Sequence, residues 1–177
     1  MSGSIIKRQH AVKQDPALEE IERTPAAGTL SWLVVQVMQL NGLLTAAGDA
    51  LAAPAGQTSA RWQVLAAVED EPLSVAQIAR AMNLTRQSVQ RVADLLEADG
   101  LAAYEDNPAH ARAKLLRLTP KGRKALRTIQ AGQKVWANAL AAQMDESQLR
   151  AASAVLAQLR QALIAQQAQE MPQDQAC

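Results

Sequence analysis

The sequence predicts a mainly α-helical fold with a small β-hairpin, and three observations support this prediction. Hydrophobic residues make up 49% of the 177 residues but aromatic residues only 2%, so alanine, leucine and valine must form most of the core. Alanine and leucine favour helices, whereas residues that favour strands are sparse. Several segments repeat apolar residues at helical spacing, and one pair of short apolar runs is separated by turn residues. The length allows one domain or two small lobes.

Apolar stripes predict a long helix near each end of the chain. The first stripe consists of Leu30, Leu33, Val37, Leu40 and Leu44. The second follows a capping box, Asp145-x-x-Gln148, and consists of Leu149, Ala152, Leu156, Leu159 and Leu163, at heptad spacing. These stripes exceed the apolar surface that one small lobe can bury. We expect residues 28–52 and 120–167 to form a helical dimerisation lobe, with an internal helix bundle as the alternative.

The outer segments differ in composition from these helices. Residues 1–27 mix charges with prolines, which predicts a flexible arm with one short helix, and the glutamine-rich residues 168–177 predict a disordered tail. The single cysteine, Cys177, allows no disulfide framework and fits a reducing cytoplasm. There is no secretory signal, and the most apolar stretch, 30–44, is too short and too polar to span a bilayer. We expect a cytoplasmic protein with no membrane partner.

Capping signals divide the middle of the chain into short helices. Thr58 or Ser59 can cap a first helix, which stops at an acidic segment. Ser74-x-x-Gln77 is a capping box that starts a second helix. A turn of about three residues then leads to Thr85, which caps a third helix. The pattern predicts a helix-turn-helix.

A hairpin is predicted directly after the third helix, which stops at Gly100. Apolar runs at 101–105 and 114–119 can form two strands, and the turn residues at 106–112 read as the tip between them. A helix-turn-helix followed by a hairpin is the winged-helix plan, in which the second helix of the motif enters the DNA major groove. We therefore expect residues 57–119 to be a winged helix-turn-helix lobe.

The helix at 85–99 is expected to expose a polar face. By the period of 3.6 residues, one face carries Val89, Val92, Ala93 and Leu96, and the other carries Gln87, Gln90, Arg91 and Asp94, with Arg86 at the flank. Glutamine can pair with adenine and arginine with guanine through two hydrogen bonds each. We interpret the segment as a recognition helix; a plain surface helix, which more often carries Glu and Lys pairs, is the alternative.

The positive charge of the chain is regional, since the net charge is only +1. Residues 107–144 contain no Asp or Glu but eight Lys and Arg. Arg112 lies at the predicted hairpin tip, with His110 and Lys114 beside it. A narrow minor groove concentrates negative potential and attracts an inserted arginine. The tip is therefore a candidate groove probe, and an ordinary solvated charge run is the alternative.

Four segments of the chain have the character of a family signature: LSVAQIA at 73–79, QRVADLLEADGL at 90–101, NPAHARAK at 107–114 and LTPKG at 118–122. Together they resemble the multiple antibiotic resistance regulator (MarR) family of transcriptional regulators. The resemblance implies a homodimer that binds a palindromic operator in double-stranded DNA. One departure concerns His110, because the family usually has Asp two places before the wing arginine. The carboxylate that normally steadies Arg112 is therefore missing.

The winged-helix interpretation and the resemblance together define the predicted DNA contacts. They are Ser74, Thr85, Arg86, Gln87, Ser88, Gln90, Arg91, His110, Arg112 and Lys114.

The resemblance also suggests a repressor that a small, often aromatic, ligand releases from DNA. The candidate ligand-binding residues, which could hold an aromatic acid, are Trp32, Gln36, Gln39, Arg61 and Trp62. Packing in the core is the stronger interpretation of a Trp at helical spacing. Redox sensing by Cys177 is not favoured, because nothing near it lowers the pKa of its thiol.

No catalytic site is expected. The two histidines, His10 and His110, show no nucleophile, base or metal-ligand spacing, and we predict neither a metal nor a cofactor. The remaining alternative is a winged-helix adaptor that binds protein instead of DNA. Such an adaptor would be expected to expose an apolar face on the helix at 85–99.

Overall fold

A computed structural model describes residues 22–110 and 112–170 of the chain. Within these ranges the helices are α1 (Pro25–Ala52), α2 (Ser59–Ala67), α3 (Val75–Met82), α4 (Arg86–Ala98), α5 (Pro120–Ala141) and α6 (Glu146–Glu170), and the strands are β1 (Leu73–Ser74), β2 (Ala102–Glu105) and β3 (Leu115–Leu118). A single 3-10 turn at Ala53–Ala55 follows α1. The mainly α-helical fold with a small antiparallel sheet is confirmed.

The sheet has three strands in the order β1-β3-β2, not the two strands that the sequence predicts. β2 and β3 form the expected hairpin, in which Ala102 faces Leu118 and Glu105 faces Leu115. The extra strand β1 pairs Leu73 with Leu116 in antiparallel register. Two residues are too few to show the alternation typical of a strand, and their partner lies more than forty positions along the chain. The prediction therefore missed β1.

Hydroxyl caps hold the starts of the helices around this sheet. The Thr58 side chain accepts from the Arg61 backbone amide, and the Thr85 side chain accepts from that of Ser88. Ser74 and Gln77 form the predicted reciprocal capping box at the start of α3. These bonds satisfy backbone amides that have no partner within the helix itself. The predicted starts of α2, α3 and α4 are confirmed.

One core joins α2, α3, α4, the sheet and the first turns of α5. Its fully buried large side chains include Leu65, Ile78, Val89, Leu96, Leu116, Leu118 and Leu126. Each of α2, α3 and α4 buries one face in this core. The sheet contributes the buried leucines of β3. Burial of each Leu or Ile side chain contributes roughly 1.5–3 kcal/mol to the free energy of folding.

The described part of the chain divides into two compact units, with the boundary between Leu44 and Thr45. In the first unit, α1 exposes large apolar side chains, among them Leu30, Trp32, Met38 and Leu43. The helical stretch Pro25–Ala55 is long and apolar enough to cross a membrane by length and composition alone. The prediction from the sequence considered only residues 30–44, and the helical stretch that meets these two criteria extends beyond them at both ends. Helices of soluble proteins also meet these two criteria.

The second unit includes the C-terminal end of α1, and two contacts join this end to α2. The Asp49 carboxylate accepts a 2.7 Å hydrogen bond from the Ser59 backbone amide, and Gly48 lies against the Ser59 side chain. In α6, by contrast, the large apolar residues Leu149, Leu156 and Leu163 are exposed. The heptad stripe of this helix therefore has no cover of matching size in the described part of the chain.

The ends of the outer helices differ from the prediction. α1 begins at Pro25, within the predicted arm, and α6 continues to Glu170, where the sequence predicts a tail from residue 168. The short helix that the sequence predicts within the arm, at residues 17–22, lies outside the described residues except for Glu22. His10 and Cys177 also lie outside them. The division into a dimerisation lobe and a DNA-binding lobe stays a prediction.

The packing of α5 against the hairpin predicts that Gly122→Ala is destabilising. A Cβ atom at Gly122 would lie 2.0 Å from the Leu101 carbonyl oxygen, so the backbone would have to move. We expect a loss of about 1–3 kcal/mol in the free energy of unfolding, measured by urea denaturation. Gly132→Ala, in the same helix, is the control, because its Cβ would meet only an ordinary contact at 3.7 Å. Equal stability of both variants would contradict the prediction.

Candidate nucleic-acid interface

The orientation of α4 decides which of its side chains can meet a ligand. Val89, Ala93 and Leu96 are buried in the core, and Val92 packs against them. Gln87, Gln90, Arg91 and Asp94 are exposed. The predicted division of this helix into an apolar and a polar face is confirmed.

A cleft of about 640 Å³ lies between α4, the start of α3 and the hairpin. It brings together six of the predicted DNA-contact residues, namely Ser74, Arg86, Gln87, Gln90, Arg112 and Lys114. Val75, Ala76, Tyr104 and Ala113 complete its lining. Two guanidinium groups and one ammonium group line the cleft, and no described carboxylate does. The cleft is therefore suited to a polyanion.

Arg112 stands at this cleft without a carboxylate partner among the described residues. His110 occupies the position where the resemblance leads us to expect an aspartate. Its backbone carbonyl accepts from the Ala113 amide, and its backbone amide donates to the Asn107 carbonyl oxygen. The turn before Arg112 is thus held by backbone hydrogen bonds.

Ser74 lines the cleft but is only 8% exposed. Its hydroxyl donates to the Gln77 side-chain oxygen at 2.6 Å and accepts from the Gln77 backbone amide. The hydroxyl hydrogen is therefore used inside the protein. A DNA contact by Ser74 stays a prediction, and the structure assigns the side chain to the capping box.

The other predicted contact residues do not line the cleft. Thr85 and Ser88 are exposed, but their hydroxyls bond to each other at 3.1 Å at the start of α4. Arg91 is exposed on α4 beyond the cleft, and His110 is exposed on the wing. Their DNA contacts stay predictions.

Tyr104 is the polar side chain of the cleft that the sequence did not predict. Its hydroxyl donates to Asp94 Oδ1 at 2.9 Å and accepts from the Gln90 amide nitrogen at 2.8 Å. Burial, followed by the hydrogen bond to Asp94, raises the pKa of Tyr104 to about 12. Strand alternation places Tyr104 on the same side as the buried Ala102, and this signal could have revealed it. The phenol connects β2 of the wing to α4.

Two of the candidate ligand-binding residues have structural partners. The Arg61 guanidinium forms an ion pair with the Asp99 carboxylate at the end of α4. This hydrogen-bonded pair holds the pKa of Asp99 below its ordinary value. Trp62 packs against the core cluster. The packing interpretation is therefore favoured for Trp62, and Arg61 is already paired with Asp99.

The remaining ligand candidates lie in the first unit. Trp32, Gln36 and Gln39 are exposed on α1, and Trp32 retains 64% of its surface. Their spacing places them on one side of the helix. A ligand role for these residues stays a prediction. No group of acidic, histidine or cysteine residues in the described ranges has the arrangement of a metal site.

The fold and the basic cleft together define a winged-helix protein of the transcription-regulator class. A family model described as the MarR family matches residues 55–113, which span α2 to the wing. An uncharacterized protein of Mycobacterium tuberculosis, Rv2011c, is 45% identical over 119 residues, which cover 67% of this chain and 83% of that protein. The chain belongs to the MarR family.

Solved structures of regulators have the same fold. The MarR family transcriptional regulator Sco5413 of Streptomyces coelicolor is similar with a TM-score of 0.67 and 25% identity, over 76% of this chain and 95% of that one. The transcriptional regulator MosR of Mycobacterium tuberculosis, solved in complex with DNA, is similar with a TM-score of 0.62 and 24% identity, over 73% and 96%. The family and the fold are thus those of transcription regulators.

The hydrogen-bonded phenol of Tyr104 is expected to titrate at a higher pH than a free tyrosine. The titration can be measured directly, because Tyr104 is the only tyrosine of the chain. We expect the absorbance of the phenolate to appear with a midpoint near pH 12 instead of pH 10. Because the folded pKa is raised, the neutral phenol stabilises the fold below pH 10, and this contribution is lost as the pH rises through 12.

Asp94→Asn should lower this midpoint, because it removes a charge that opposes ionisation. The burial of the phenol remains in the variant and should keep the midpoint above 10. Asp106→Asn, on the exposed wing, is the control and should leave the midpoint unchanged. A wild-type midpoint near 10, with native circular dichroism at that pH, would show that the hydrogen bond is not formed in solution.

Proposed function

We propose that the protein is a homodimeric, sequence-specific DNA-binding regulator of transcription. The observation that carries this proposal is the cleft in which the amides and guanidinium of α4 lie beside Arg112 and Lys114 of the wing. Base edges in the major groove are recognised by amide and guanidinium groups, and phosphates by cations. One face of the molecule therefore offers both kinds of contact.

In the proposed complex, α4 enters the major groove and the wing meets the neighbouring minor groove. Gln87 and Arg86 lie in the first turn of α4, which is the part of a recognition helix that approaches the bases. Arg112, without a carboxylate partner in the described ranges, is available for the narrow minor groove. The DNA in the solved complex of MosR supports this use of the fold.

A homodimer accounts for the apolar surfaces that one chain exposes. In α1 these include Met38 and Leu43, and in α6 they include Leu156 and Leu163. A second copy of the chain would cover such surfaces, as the heptad spacing of α6 favours. Two recognition helices related by a two-fold axis would face half-sites about 34–36 Å apart in a palindromic operator.

We further propose that the regulator is a cytoplasmic repressor and that a small ligand, with aromatic acids as the first candidates, releases it from DNA. This proposal is supported by the family, because many of its members are repressors that a small ligand releases from DNA. Trp32, Gln36 and Gln39 are the candidates for such a ligand, because they are exposed on one side of α1. A screen of aromatic carboxylates for release of the operator would test this part.

A winged-helix adaptor that binds protein is the second candidate function. It predicts an apolar exposed face on α4, whereas Gln87, Gln90 and Arg91 form a polar one. Leu95 is the exception, at 51% exposure. Duplex DNA binding measured at two salt concentrations separates the two functions, because each phosphate contact adds about −0.9 to the log-log slope of affinity against salt.

The proposed interface predicts that Arg112→Ala and Gln87→Ala each weaken operator binding. We expect a loss of about 1–3 kcal/mol, or roughly 5- to 150-fold in Kd, because each removes a groove contact. The operator would be selected from random duplex DNA, and the affinity measured by fluorescence anisotropy. Arg150→Ala, which removes an equal charge from α6, is the control. Unchanged affinity in both variants, or no salt dependence, would contradict the proposal.

The proposed dimer predicts that Leu156→Glu separates the subunits. A carboxylate in the heptad stripe would be buried without a partner, which is strongly unfavourable. We expect a monomer in sedimentation equilibrium and a weakened affinity for the palindromic operator. Gln158→Glu, on the same helix but outside the stripe, should leave the dimer intact. A Leu156→Glu protein that sediments as a dimer would place the interface elsewhere.

A further inference from the structure

The Gln90 side chain is held by two partners at the edge of the cleft. Its amide nitrogen donates to Asp94 Oδ1 at 2.6 Å and to the Tyr104 hydroxyl at 2.8 Å. The Tyr104 hydroxyl donates to the same Asp94 oxygen at 2.9 Å. The three groups thus form a closed triangle of hydrogen bonds between α4 and β2.

The chemistry of the triangle fixes which end of the Gln90 amide faces which way. An ionised carboxylate only accepts hydrogen bonds, and the single hydrogen of the phenol is already given to Asp94. The two hydrogens of the Gln90 nitrogen therefore point at Asp94 and Tyr104. A flipped amide would set its carbonyl oxygen against the carboxylate, so the orientation follows from the network. The carbonyl oxygen of Gln90 remains for a ligand.

We propose that Gln90 recognises a base through its carbonyl oxygen alone and that Asp94 and Tyr104 are the positioning residues that impose this. The inference rests on the proposed DNA-binding function. In the major groove, adenine and cytosine present an amino group that donates to such an oxygen, whereas guanine and thymine present acceptors. Gln90 therefore selects an amino base and gains nothing from adenine N7.

This inference corrects the expectation that Gln90 pairs with adenine through two hydrogen bonds. That pairing needs one amide hydrogen for N7, and both hydrogens are used within the protein. Gln87 differs, because its side chain makes no hydrogen bond to another described residue and keeps both its donor and its acceptor. The two glutamines of the cleft therefore have different specificities although their chemistry is the same.

The first experiment finds the base that Gln90 reads. Operators are selected from random duplex DNA with the full-length wild-type protein and with Gln90→Ala. The base pair that loses its preference in the variant is the one that Gln90 contacts. Every Watson–Crick pair carries one amino base, adenine or cytosine, so the selection identifies the pair and the second experiment tests whether its amino group is the contact. No changed base pair, or unchanged affinity for an analogue without that amine, would overturn the inference.

The second experiment tests the single hydrogen bond with base analogues at that position. An analogue that lacks only the exocyclic amine should weaken wild-type binding by about 5- to 150-fold. Where the base is adenine, 7-deazaadenine lacks N7 and should change the affinity by less than about twofold, since no bond to N7 is lost. A large effect of 7-deazaadenine on the wild type would overturn the inference.

The positioning role is tested with Tyr104→Phe and Asp94→Ala, alone and combined. The combined variant releases the amide nitrogen of Gln90, so adenine should become preferred over cytosine and 7-deazaadenine should become unfavourable. A purely structural role would weaken binding to all sequences equally and leave the base preference unchanged, which would overturn this part.

A failure of the inference on Gln90 can be distinguished from a failure of the proposed DNA-binding function. If Gln90→Ala keeps the wild-type base preference while Arg112→Ala and Gln87→Ala weaken operator binding, the chain binds DNA as proposed and only the inference on Gln90 is wrong. If the wild type binds no duplex DNA, the proposed function itself is contradicted.

Discussion

The buried face of α4 is the constraint on which the rest of the site depends. Val89, Ala93 and Leu96 are almost fully enclosed by neighbouring helices and the sheet. Turning the helix about its axis would expose these side chains, at a cost of roughly 1.5–3 kcal/mol for a Leu or Val. The polar face that carries Gln87 and Gln90 is therefore held outward by the core. The amide side chains of this face therefore do not have to stabilise the orientation of α4 themselves.

The wing is placed by the same core through the central strand of the sheet. Leu116 and Leu118 of β3 are buried, and Thr119 bonds to the Leu101 carbonyl where the hairpin meets α5. The tip that bears Arg112 thus extends from a fixed base. The Tyr104 hydroxyl adds a polar connection between β2 and α4. The distance between the wing and α4 is thus determined by apolar packing in the core and by this hydrogen bond.

The exposed apolar residues of α1 and α6 do not stabilise the core of the winged helix, and they form separate apolar surfaces. The side chains of Met38 on α1 and Leu163 on α6 lie on helices that have few or no buried residues. Exposed patches of this kind mark surfaces for association. In the proposed dimer the same composition that lacks phenylalanine would provide two cores, one within the winged helix and one between chains. In that proposal the first core would position the DNA-contacting side chains of α4, and the second would set the spacing of the two copies of α4.

Elements with local signals could be predicted from the amino-acid sequence. Capping at Thr58, Ser74 and Thr85 and the 3.6-residue period of α4 depend on residues within one or two turns, so they could be read directly. Three features became visible only in the folded chain: the pairing of β1 with β3, the Arg61–Asp99 ion pair and the hydrogen bonds that hold Gln90. These contacts join residues that are distant in the chain or whose geometry depends on the packing of another element, and no local pattern encodes them.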